Sequence, residues 1–154
     1  MAQRGGVVRS HVRLSDCAIH SDLIPEGAAD LLLAAEPMEA LRYLPYLGSE
    51  GMVVANAVPL KNIGTYPNED RIASALDALP RRLVFDAAEL AREAGSIRSA
   101  NIVLLGAGTP FLGMPVDALR EAVDRLFASK GNAVVETNRR AFDLGLAEGQ
   151  RAAG

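Results

Sequence analysis

A largely apolar run at residues 28–35 stops at Glu36-Pro37, and from there apolar residues recur with helical spacing at Met38, Leu41 and Leu44. Leu31, Leu32 and Leu33 are adjacent, so a strand here shows apolar side chains on both faces, as inside a parallel sheet covered by helices. Pro37 suits the first helical position, because its φ is already helical and its missing N–H would have no partner there. The junction leaves Glu36 and Pro37 at the carboxyl end of the strand, the edge where open α/β sheets meet ligands and partners.

The same alternation continues downstream. Gly48 is expected to close the first helix in the left-handed conformation, and residues 52–56 read as a second short buried strand ending at Asn56. Residues 57–66 form a loop carrying Pro59 and Gly64. Pro67 then opens a helix whose Ile72, Leu76 and Leu79 share a face. Residues 83–85 are a third strand, and Asp86 with Glu89 has capping-box spacing, which starts a helix over Leu90 and Ala91. Strands alternating with helices predict an α/β fold with right-handed crossovers and a mostly parallel sheet.

Ahead of this unit, Val8, Ser10, Val12 and Leu14 alternate with Arg9, His11 and Arg13, which reads as a strand at 7–14 with one wet face, suited to an edge or antiparallel position. With the later strands parallel and this one antiparallel, Glu36, Asn56 and Asp86 share one sheet edge with Arg4, Gly5 and Gly6. Arginine offers a planar fork of donors for a carboxylate or phosphate, and the glycine pair lets main-chain N–H groups approach a partner closely. Residues 15–27 are a connecting loop. Its Asp16, Cys17 and His20 lack the second ligand pair that would make a zinc spacing specific.

The run from Asn101 ends in Gly106-Ala-Gly108, which invites a dinucleotide-binding reading. That reading fails: Phe111 holds the third glycine position, Pro110 stands where the helix should open, and no acid follows at the proper distance. On periodicity a buried helix ending at the loop 106–113 fits as well as a strand. Pro115 starts an amphipathic helix with Val116, Leu119, Val123 and Leu126 inward and a Glu121–Arg125 pair outward. A last helix at about 133–148 packs Val135, Phe142 and Gly145, and the closing Arg-Ala-Ala-Gly reads as frayed.

Composition narrows the function. The 154 residues, 49% hydrophobic and without repeats, are enough for one ordinary core, so a single domain over 1–154 is expected. A net charge of −3 with interspersed signs gives no phosphate-tracking surface, which argues against nucleic acid. No apolar run reaches bilayer length and no export segment is seen, so no membrane partner and a cytoplasmic location are expected. The single cysteine excludes an internal disulfide and a four-cysteine cluster within this chain. No nucleophile–base motif, phosphate loop or metal set is present. The residues alone therefore leave open an enzyme subunit and a stand-alone small-molecule or nucleotide-binding module.

Six segments in order carry a resemblance: Ala2-Gln-Arg-Gly-Gly-Val-Val; Ser10-His-Val-Arg; Leu23-Ile-Pro-Glu-Gly; Asp30-Leu-Leu-Leu-Ala-Ala-Glu-Pro-Met-Glu-Ala-Leu-Arg-Tyr; Asp86-Ala-Ala-Glu-Leu-Ala; and Asn101-Ile-Val-Leu-Leu-Gly-Ala. Together they resemble the gamma-type subunits or domains of 2-oxoacid:ferredoxin oxidoreductases, and most of all the beta subunits of the indolepyruvate enzymes. The resemblance implies a Rossmann-like three-layer domain with a helical C-terminal part. It also implies a non-catalytic role in oxidative decarboxylation of a 2-oxoacid, with no cofactor in this chain. Thiamine diphosphate, magnesium and [4Fe-4S] clusters would belong to an alpha-type partner, and ferredoxin would be reached through the complex. The partner- and substrate-facing edge would comprise Gln3, Arg4, Gly5, Gly6, Glu36, Pro37, Asn56 and Asn101. Members of the family carry a strand, a glycine-rich turn and a helix ahead of the Gln-Arg-Gly-Gly loop, whereas this sequence starts inside it. A sheet edge that a neighbour must cover is the expected consequence.

Overall fold

The structure, a computed structural model, describes residues 8–59 and 66–154. Among these residues three strands, β1 (Ala29–Ala34), β2 (Leu47–Asn56) and β3 (Arg82–Phe85), form a parallel sheet in the order β1-β2-β3. Between them lie α1 (Pro37–Arg42) and α2 (Glu69–Asp77), and after β3 come α3 (Ala87–Ala94), α4 (Ala100–Gly108), α5 (Val116–Phe127) and α6 (Asn132–Ala153). The arrangement is the expected α/β one with a mostly helical C-terminal part.

The central strand divides the core by the period-two rule. Met52 and Val54 face a cluster built from Ala87, Ala91, Val103, Phe142 and their neighbours on α3, α4 and α6. Val53 and Ala55 face the other way, onto Ala40 of α1 and Ile72 and Leu76 of α2. The sheet is thus covered on both faces.

The ambiguous run at 101–108 is helical. Its glycines serve helix packing: a methyl group at Gly106 would overlap the Phe142 carbonyl, and one at Gly145 or Gly149 the carbonyl of Val103 or Ala107. The backbones of α4 and α6 therefore meet directly, which only glycine permits.

Several expectations change. Residues 8–14 form no strand, and residue 7 lies outside the described residues. The polar side of that stretch is spent on hydrogen bonds to its own chain, while Val8, Val12 and Leu14 remain 59–71% exposed. With neither a paired strand nor a layer to bury its apolar side, no ladder forms. The first helix ends at Arg42 rather than at Gly48, because Pro45 cannot continue it, and a short 3-10 turn at Leu44–Tyr46 leads straight into β2. Gly48 lies inside that strand. Nearby, the register jumps from Ala29↔Leu47 to Leu31↔Met52, and a Cβ at Gly51 would sit 2.7 Å from the Ala29 carbonyl oxygen.

Leu31 and Leu32 are only half-buried and Leu33 is 42% exposed, since among the described residues β1 is paired on one side, with β2. Leu126 is 66% exposed while Val123, on the same helix, is buried, so the inward stripe of α5 is narrower than its apolar pattern. The closing residues are not frayed: α6 continues to Ala153, with Arg151 paired to Glu148 at 2.9 Å.

Candidate functional site: the carboxyl edge of the sheet

Three parallel strands end together, and the residues just past them face a common edge. Glu36 follows β1. Its backbone is extended, with φ −146° and ψ 133°, and its Oε2 accepts from the Glu39 N–H at 2.9 Å, capping α1 ahead of Pro37. The Tyr66 hydroxyl donates to Glu36 Oε1. Burial and this bond to a carboxylate hold the Tyr66 phenol well above the ordinary tyrosine range, so it stays a donor.

Asn56 ends β2 and is buried. Its Nδ2 donates to the Ala35 carbonyl at 3.3 Å and to the Val58 carbonyl at 3.1 Å, while its Oδ1 accepts from the Ala87 N–H at 3.1 Å. One side chain thereby fastens the end of β1, the start of the following loop and the first turn of α3. Only an amide, with donor and acceptor on one plane, can do all three. Asp86 follows β3, and its Oδ1 accepts from the Ala88 and Glu89 N–H groups at 2.8 and 2.9 Å. The residue is the cap that its spacing announced.

Glu36, Pro37, Asn56 and Asp86 thus stand at one end of the sheet. Asn101 is set apart, exposed on the first turn of α4, whereas Gly108 at the other end of that helix is the residue beside Leu31 and Leu33. Gln3, Arg4, Gly5 and Gly6 lie outside the described residues. Tyr66 is a member of the edge that reading the sequence missed; a lone tyrosine at the end of a loop, 30 positions from its partner, gives no local signal.

Beside these residues a cavity of about 380 Å³ is lined by Pro37, Tyr66, Ile72, Leu76 and Val84, with Asp70 and Asp77 among its acids. Acids in the lining disfavour a carboxylate ligand. Among the described residues no group of three or more His, Cys, Asp or Glu side chains could hold a metal ion, and Cys17 is exposed. The chain's one cysteine does not fit an iron–sulfur cluster, which takes four thiolates in its common forms. No helix among the described residues is long and apolar enough to cross a membrane. Among the described residues, Glu36, Asn56 and Asp86 each hold backbone at this edge, and Tyr66 holds Glu36.

Comparison with known proteins identifies the group. Residues 1–148 match the family described as pyruvate ferredoxin/flavodoxin oxidoreductase. The chain belongs to that family. It is 38% identical over 156 residues to the indolepyruvate oxidoreductase subunit IorB of Pyrococcus horikoshii, which covers 95% of this chain and 75% of the relative. The IorB subunits of Archaeoglobus fulgidus and Thermococcus kodakarensis are 38% and 36% identical, covering 94% and 95% of this chain and 74% and 75% of theirs. Within this pyruvate ferredoxin/flavodoxin oxidoreductase domain, the Gly106-Ala-Gly108 run lies in α4, with Gly106 packed against α6, and forms no phosphate loop.

Proposed function

We propose that this chain is the cofactor-free subunit of an indolepyruvate:ferredoxin oxidoreductase of the cytoplasm, acting in oxidative decarboxylation of an aryl 2-oxoacid. The observation that carries the reading is the similarity to IorB subunits along nearly the whole chain. Thiamine diphosphate, magnesium and the iron–sulfur clusters belong in this reading to an alpha-type partner, which also passes electrons to ferredoxin. Carbanion and electron-transfer chemistry is supplied by such cofactors, and the protein around them contributes orientation and electrostatics.

The carboxyl edge is the docking platform. Glu36 and Asn56 fix its shape with Pro37 buried behind them, Asn101 offers a separate exposed contact on α4, and Gln3, Arg4, Gly5 and Gly6 supply a basic, close-approach segment for the partner or an anionic substrate group. Co-expression with an alpha-type subunit is expected to give a stable complex that reduces a viologen dye with indolepyruvate, while this chain alone does not. Arg4→Ala is expected to lower turnover or subunit affinity and leave the isolated fold intact. Dye reduction by the isolated chain, or failure to associate with any such subunit, would overturn the reading.

A further inference from the structure

Both ends of the segment at 8–28 are pinned to the same place. Near its start Arg9 Nη1 donates to the Tyr46 hydroxyl at 2.7 Å, and near its end the Gly27 N–H donates to the Pro45 carbonyl at 2.8 Å, so the turn at Leu44–Tyr46 holds the two feet of a loop. Within the segment every residue is exposed except His11 and Ile24, which are half-buried and bonded to each other: the Ile24 N–H donates to His11 Nδ1 at 2.9 Å. The imidazole also stands edge-on to the Tyr46 ring, with 5.5 Å between centroids and 90° between planes. One side chain thus closes the loop 11–24 on itself and rests it on the turn.

We propose that His11 is a pH-operated latch for this loop. A backbone N–H can donate only to an unprotonated imidazole nitrogen, so the bond exists while the ring is neutral. Once both ring nitrogens carry protons, two donors face each other and the bond is lost. The charges around the ring do not compensate. Arg9 lies over the same Tyr46 ring at 5.3 Å and over Tyr43 beside it, and Arg13, two positions on, donates to the Ser21 carbonyl. Asp16, Asp22 and Glu26 of the segment are exposed, and Glu39 of α1 pairs with Arg42 at 3.5 Å. Among the described residues no carboxylate is hydrogen-bonded or ion-paired to the imidazole. A protonated His11 therefore adds a cation beside two arginines and gives up its one acceptor. The latch is shut above the range in which an imidazole titrates and opens as pH falls through it. The two feet contain no imidazole, so the loop loosens between fixed ends and the core is untouched. The latch does not depend on the function proposed above.

Nitrogen-15 spectra of the whole chain, taken from about pH 7.5 to about pH 5, test it. Exchange of the Ile24 amide, corrected for the intrinsic effect of pH, is expected to rise by about fivefold or more, with the midpoint of the His11 ring titration, while the Gly27 amide stays protected. His11→Asn places an amide oxygen as many bonds from Cβ as Nδ1 and does not titrate, so it is expected to hold Ile24 at both ends of the range. His20→Asn is expected to leave the response as in the wild type. An Ile24 amide indifferent to the titration of His11 overturns the proposal, as does a response that persists in His11→Asn or vanishes in His20→Asn. Loss of Gly27 protection along with Ile24 overturns it equally, since the feet would then have opened too. Should His11→Asn fail to hold the loop even at the upper pH, the coincidence of the Ile24 and His11 midpoints in the wild type decides.

Discussion

The contact between α4 and α6 and the segment at 8–28 hold to the rest of the molecule in opposite ways. In the first, Gly106, Gly145 and Gly149 remove side chains so that two helix backbones touch, and Val103, Ala107 and Phe142 are fully buried around them. In the second, attachment is by polar side chains. Arg9 Nη1 donates to the Tyr46 hydroxyl at 2.7 Å and its guanidinium lies over the rings of Tyr46 and Tyr43. Within the segment itself, the Ile24 N–H donates to His11 Nδ1 at 2.9 Å, and Arg13 Nη1 to the Ser21 carbonyl at 2.7 Å. The apolar side chains of that segment point away, with Val8, Val12, Leu14 and Leu23 all more than half exposed. Close packing is intolerant of a single added methyl group, whereas exposed hydrogen bonds and cation–π contacts can be lost one at a time. The carboxyl edge lies between these extremes, buried like the helices but held by hydrogen bonds like the segment.

The largest effect is expected where backbones touch. Gly145→Val should destabilise the chain by about 3 kcal/mol or more, because neither helix can move aside without uncovering the core; urea unfolding measures it. A loss under about 1 kcal/mol would mean that the helices are less tightly held than the contact implies.

At the edge, Asn56→Asp keeps the acceptor for the Ala87 N–H but removes both donors, leaving the Ala35 and Val58 carbonyls unpaired beside a carboxylate. A loss of about 2 kcal/mol is expected by the same measurement, and Asn56→Ser should recover little of it.

Alkaline titration tests the other lock at the edge. The Tyr66 phenol is raised in the folded chain, so above the ordinary tyrosine pKa of about 10 the unfolded chain releases a proton that the folded one keeps. Stability contributed by this group is therefore complete below that pH and falls as pH rises. Thermal midpoints measured from neutral to strongly alkaline pH should decline, and Tyr66→Phe should flatten the decline. An identical slope in the variant would remove Tyr66 from the account.

The smallest global effect is expected in the hanging segment. Arg9→Ala should change overall stability by about 0.5 kcal/mol or less, yet speed amide exchange at Ile24 and at Gly27, whose N–H donates to the Pro45 carbonyl at 2.8 Å. A loss of stability as large as that of Asn56→Asp would erase the contrast between the two regions.

Parts of this were legible along the chain. Pro37 at the start of α1, the Asp86 cap, the third strand and the Glu121–Arg125 pair at 3.3 Å all rest on residues four or fewer positions apart, so their geometry is nearly fixed once the local backbone is chosen. The carboxyl edge was legible to the same extent, since ending three parallel strands at Glu36, Asn56 and Asp86 follows from the order of elements alone.

Tertiary structure decided the rest. An apolar run bounded by glycines is satisfied as strand or helix, and Asn101–Gly108 became a helix because α6 presents Gly145 and Gly149 for its backbone to rest on. Alternation at 8–14 favours a strand, but a strand needs a neighbour, and Tyr46, Ile24 and Ser21 took its polar side instead. Three adjacent leucines suggested the middle of a sheet, and among the described residues their strand is paired on one side only, so their burial depends on which strands pair and not on the composition of one. Asn56 and Tyr66 acquired their roles from partners 21 to 31 residues away, where the pattern along a chain carries no record of distance in space.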